Sequence, residues 1–88
     1  MAIYGADIAQ LNQLASQLNS KASDLQNVVK TLSSTVQSVE WKGPDADKFR
    51  SDWTGHVSQL NKIVSDLQAA SQSAKKNAQQ QEQASSGA

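Results

Sequence analysis

Cysteine is absent from these 88 residues, so neither a disulfide nor cysteine–metal ligation can staple the fold. Charge of one sign is absent too: eight basic residues balance eight acidic ones. That balance argues against a dedicated nucleic-acid binder, which needs a basic stripe to displace counterions from phosphates. No apolar run approaches the roughly 18 residues that span a bilayer, so stable membrane insertion is not expected. The start of the chain, Met1-Ala2-Ile3-Tyr4-Gly5-Ala6-Asp7, has no basic segment followed by an apolar one and does not read as a cleavable secretory signal. Composition alone therefore points to a soluble cytoplasmic product, and any export would need a machine that recognises it without such a signal. A chain of this length buries a modest share of its surface, which leaves helix packing and association with a second chain as its sources of stability.

Proline occurs once, at Pro44, and divides the chain into two halves of the same character. In the first half, apolar or small residues stand at Ile8, Leu11, Ala15, Leu18, Ala22, Leu25, Val29, Leu32, Val36 and Val39. The steps alternate three and four, which is a heptad stripe; a strand would alternate with period two. The second half continues with Ala46, Phe49, Trp53, His56, Leu60, Ile63, Leu67, Ala70 and Ala74, again in steps of three and four. Leu14 and Val28 widen the first stripe on one side, and Val57, Val64 and Ala78 widen the second. The spacing predicts helix 1 over about 7–40, a turn at 41–44, helix 2 over about 45–78, and a polar, flexible tail at 79–88. Gly43 can serve as N-cap and Pro44 as first helical residue, with Asp45 and Asp47 complementing the helix dipole. Gly55, inside helix 2, costs about 1 kcal/mol relative to alanine, which close helix approach or simple tolerance could explain.

Folding the two stripes about Trp41-Lys42-Gly43 brings them into register. Ala46 falls level with Val39, Phe49 with Val36, Trp53 with Leu32, and His56 with Val29. Leu60 then meets Leu25, Ile63 meets Ala22, Leu67 meets Leu18, and Ala70 meets Ala15. The fold class expected is therefore all-α, an antiparallel two-helix hairpin. Two helices cannot cover both widened faces, so Leu14, Val28, Val57 and Val64 point to a partner hairpin and a four-helix bundle. The expected bundle or dimer interface comprises Leu14, Val28, Val57, Val64, Phe49 and Trp53.

Residues that could carry chemistry are few. His56 is the single histidine, placed in the stripe, with no further ligand or nucleophile in its pattern. If it is buried and neutral, the bundle should weaken as pH falls through the histidine range. Asp45, Asp47 and Asp52 bracket the start of helix 2, and a hairpin offers no cleft in which paired carboxylates could work. Lys75 and Lys76 suit a helix C-terminal region. The polar faces are rich in Gln, Ser, Asn and Thr, unlike a basic surface-lying membrane helix, and no basic recognition helix is present. No catalytic, cofactor or metal site is expected, and the chain reads as a non-enzymatic interaction module. Trp41 has two readings: a cap over its own hairpin end, or an anchor covered by a partner.

Two heptad-patterned helices in a short chain, joined at a central Trp41-Lys42-Gly43, resemble the WXG family, the small substrates of bacterial type VII (ESX) secretion related to the early secreted antigenic target of mycobacteria. The resemblance runs from Ile8 to about Ala78, and its motif residues here are Trp41 and Gly43. It implies a four-helix bundle, as a homodimer or as a heterodimer with a paralogous WXG-family chain. It also implies folding in the cytoplasm and then export without a cleaved signal, through recognition by the membrane ATPase of the secretion system. Family members often carry a C-terminal Tyr-Xaa-Xaa-Xaa-Asp/Glu segment beside the partner's turn. Here the only tyrosine is Tyr4, so the pattern fits a chain that travels with a motif-bearing partner. The alternative is a structural or adaptor helical hairpin that stays in the cytoplasm.

Overall fold

A computed structural model describes residues 7–86, with side chains described as far as residue 83. Two helices, α1 (Ile8–Ser38) and α2 (Pro44–Ser86), fold back on each other as an antiparallel hairpin, and no strand occurs among the described residues. The rod measures 68 × 16 × 16 Å. At 1.5 Å per residue, the 43 residues of α2 span about 65 Å and account for most of that length.

Asp7 starts α1: its carboxylate accepts from the Gln10 N–H at 3.0 Å, and its carbonyl accepts from Leu11 N–H at 2.9 Å. The first bond satisfies a donor that a helix start leaves without an intrahelical partner, and the second opens the helical ladder. The helix ends at Ser38, earlier than the expected residue 40, with Val39 already extended (φ −65°, ψ 136°). Hydroxyls compete with the ladder in this last stretch: Thr35 Oγ1 donates to the Thr31 carbonyl and Ser38 Oγ to that of Thr35. Gly43 then reverses the chain at φ +115°, a backbone state that side-chain-bearing residues rarely adopt. Its carbonyl accepts the first bond of α2 from Asp47 N–H, Pro44 is the first helical residue, and Asp45 and Asp47 lie in the first turn. The helix start follows the capping pattern of the sequence.

The far end of α2 differs from expectation. Instead of giving way to a flexible tail after residue 78, the helix runs on to Ser86. The run Gln79-Gln80-Gln81-Glu82-Gln83-Ala84 lacks apolar side chains but consists of good helix formers, and Gly87 is the first helix breaker after it. The last two tail positions, 87 and 88, and the lone tyrosine, Tyr4, lie outside the described residues.

The seam of α1 follows its stripe as far as Val29, with Ala15, Ala22 and Val29 buried and Ile8, Leu11, Leu18, Leu25 and Val36 half-buried. Leu32 and Val39, expected in the stripe, are exposed, and the half-buried Ser33 meets α2 in place of Leu32. In α2 the seam is Ala46, Arg50, Trp53, Val57, Leu60, Val64, Leu67, Ser71, Ala74 and Ala78. This corrects the expected stripe. Phe49, His56, Ile63 and Ala70 are exposed, and the residue after each of them faces α1. The shared row of Ala46, Trp53, Leu60, Leu67 and Ala74 gives three–four steps with either neighbouring row, so periodicity does not choose between them. Room in the seam does: it takes Val57, Val64 and Ser71 where α1 presents alanine and valine. The antiparallel levels hold, shifted by that one residue. Trp53 Nε1 donates to Ser33 Oγ at 3.0 Å, and Ser71 Oγ donates to the Ala15 carbonyl at 2.6 Å. Gly55 has no neighbour within 4 Å of where a Cβ would stand, so tolerance, and not close helix approach, explains it.

Candidate interaction surface at the hairpin turn

What the hairpin leaves uncovered is as informative as what it buries. Every fully packed residue in the core is small, namely alanine, valine or the hydroxyl-bonded Ser71. Among the described residues no large side chain is completely enclosed. Leu14, Val28, Leu32, Val39, Phe49 and Ile63 are each 45–50% exposed, and Trp41 is 41% exposed. Such side chains gain only part of the roughly 1.5–3 kcal/mol that full burial of each would contribute.

These residues share one flank of the rod. Leu14 and Val28 are two heptads apart on α1, and Thr35 continues their row; Phe49 and Ile63 are two heptads apart on α2. Thr35 and Phe49 line the same groove, which places both rows on one side of the seam. The opposite flank is polar, and its groove of about 300 Å³ is lined by Asn12, Asn19, Lys75 and neighbouring small or polar residues. The flank of Leu14 and Phe49 carries the exposed large apolar side chains, with Lys21 and His56 set between them in the same rows.

At the turn the apolar flank holds a groove of about 240 Å³, surrounded by Leu32, Thr35, Val36, Val39, Trp41 and Phe49. The Trp41 and Phe49 rings lie 5.4 Å apart at 52°, a tilted aromatic pair. Trp41 is thus neither a buried cap nor a free side chain: it forms one wall of a groove open to solvent.

Behind that wall stands Arg50, which the sequence pattern did not single out. Its Nη1 donates to the Trp41 carbonyl at 2.9 Å, Nη2 to that of Val39 at 3.0 Å, and Nε to that of Val36 at 3.2 Å. A guanidinium suits this place because the Val36 carbonyl, in the last turn of α1, carries partial negative charge and lacks an intrahelical partner. The Val39 and Trp41 carbonyls just beyond the helix are acceptors within reach of the same fork. A basic residue at a seam position was the available signal, and it was hidden while Phe49 occupied the stripe.

Of the residues expected at an interface, Leu14, Val28 and Phe49 are exposed on the apolar flank, as are Ile63, Leu32 and Val39, which were not included. Trp41 and Gly43 form the turn. Val64, at 3% exposure, and the half-buried Val57 and Trp53 belong to the hairpin's own seam, so they are not outward surface. For Val57 and Val64 the reason is the same one-residue phase shift in α2, whereas Trp53 stands in the row that both phases share. His56 also changes place: it stands exposed on the apolar flank, edge-on to Trp53 at a centroid distance of 6.4 Å. Burial within the chain therefore does not supply the basis for a pH-dependent fold at this residue.

Fold and surface together define an all-α helical hairpin with coiled-coil-like packing and one apolar flank. Comparison with protein-family models, curated proteins and solved structures finds no match to the chain.

Proposed function

We propose that this chain is a non-enzymatic interaction module that works as a dimer of helical hairpins, a substrate or partner subunit of a type VII secretion system. The observation that carries the dimer is the exposed row of Leu14, Val28, Phe49 and Ile63 beside the groove at Trp41. Its members repeat at heptad multiples, the spacing that a second pair of helices follows when four pack as a bundle. Because only small residues are fully buried in the seam, the larger apolar side chains are the main unspent source of burial, and a second hairpin laid on this flank would use it.

The secretion half of the proposal rests on the Trp41-Lys42-Gly43 turn at the middle of such a hairpin, by resemblance to the WXG family. In this reading the chain pairs with a copy of itself or with a paralogue. It leaves the cell folded, without a cleaved signal, after recognition by the membrane ATPase of the system. Sedimentation equilibrium tests the first half: a dimer is expected at micromolar concentration, alone or with the paralogue, and a monomer under both conditions would end it. Culture medium with and without the ATPase tests the second half. Retention in the cytosol in both strains would end that.

A further inference from the structure

Three of the six residues that line the apolar groove, Val36, Val39 and Trp41, have their main-chain carbonyls held by a single guanidinium. The main-chain bonds on either side of the turn are Val39 N–H to the Thr35 carbonyl and Asp47 N–H to the Gly43 carbonyl. Between these two points the chain is neither helix nor strand and is tied to α2 through Arg50. Phe49, the facing wall of the groove, is the residue next to Arg50 on the same rigid helix.

We propose that Arg50 is the positioning residue of the groove, fixing Val39 and Trp41 against Phe49 before a partner arrives. The proposal rests on the reading that a second hairpin occupies this flank. Its physical basis is preorganisation: a segment already ordered in the free chain loses less freedom on association. Charge-assisted bonds are stronger than neutral ones, and the planar fork of arginine serves three acceptors where a lysine ammonium acts as a point charge. Arg50 itself stays behind the groove and need touch no partner.

The test uses the full chain as wild type, Arg50→Gln and Arg50→Lys, with circular dichroism to establish that each is helical. Cleavage by a lysine-specific endopeptidase at the Lys42–Gly43 bond reports how firmly the turn is held, because Arg50→Gln leaves the enzyme's sites unchanged. Sedimentation equilibrium reports association. In Arg50→Gln, cleavage at Lys42 is expected to accelerate at least tenfold, and the dimer dissociation constant to rise tenfold or more. Arg50→Lys should follow Arg50→Gln in both, which a role for charge alone would not produce. Should Arg50→Gln lose its helical signal, Arg50→Lys carries the same comparison, with cleavage at Lys42 followed by mass. An unchanged cleavage rate would overturn the clamp. Faster cleavage with unchanged association would overturn its role in positioning the groove. A wild-type chain that never dimerises, alone or with a paralogue, would remove the partner reading instead, while the cleavage rates still judge the clamp.

Discussion

The indole of Trp53 on α2 donates its N–H to the hydroxyl of Ser33 on α1 at 3.0 Å, tying the helices side to side above the turn. Ser33 lies toward the polar flank, so the bond keeps the wet end of the indole there while its rings pack in the seam. A net contribution of about 0.5–1.5 kcal/mol is expected for such a bond. A double-mutant cycle with Ser33→Ala and Trp53→Phe, read from urea unfolding, should return a coupling energy in that range. A coupling near zero would mean that the two side chains part in solution.

The glycines should respond in opposite directions. Gly55→Ala removes a helix-interior glycine at a site with nothing within 4 Å, so stabilisation by about 0.5–1 kcal/mol is expected. Gly43 also has open space around it, yet its φ of +115° makes any side chain strained there. Gly43→Ala should therefore destabilise by about 1–3 kcal/mol. Thermal unfolding of the two variants beside the wild type gives both signs in one experiment.

Neighbouring positions on α2 test the phase of the seam. Val64 is buried and Ile63 is about half exposed, although the larger residue would ordinarily be placed inside. Val64→Ala should lower the stability of the hairpin by on the order of 1–2 kcal/mol, from two lost methyl groups at about 0.8 kcal/mol each. Ile63→Ala should change it by less than about 0.5 kcal/mol at concentrations where the chain is monomeric. At higher concentration the Ile63 variant should show less concentration-dependent gain in stability than the wild type, because association is linked to folding.

Ser71 is nearly buried, and its hydroxyl donates to the Ala15 carbonyl at 2.6 Å. Ser71→Ala removes one bond and leaves a small methyl in the same space, so a loss of about 1 kcal/mol or less is expected. Ser71→Leu would force three extra carbons against Ala15 and cost about 1–3 kcal/mol through overpacking. Denaturant midpoints should fall in that order; a stabilising leucine would show that the helices separate easily at this level.

Much of the hairpin could be read from the chain, because its signals are local. Pro44 after Gly43 allows one start for α2, and three–four spacing excludes strands. The apolar row of Leu14 and Val28 was legible for the same reason. The row in α2 was not, since Phe49 and Arg50, or Ile63 and Val64, satisfy the same periodicity one residue apart. The length of α2 exceeds its apolar pattern, because glutamine and alanine hold a helix by backbone propensity where no large apolar side chain marks it. The role of Arg50 has no counterpart in the residue pattern, because its three acceptors are carbonyls, and carbonyls leave no mark in a sequence.

The sequence by itself therefore determined two helices, the position of their turn and their antiparallel order, since capping, proline and heptad spacing act within a few residues. Tertiary structure decided which face of α2 meets α1, where α1 stops and how the turn is held. These depend on how much volume fits between two helices and on bonds between groups such as Arg50 and Val36, fourteen residues apart in the chain. Contacts of that kind exist only once the hairpin has closed.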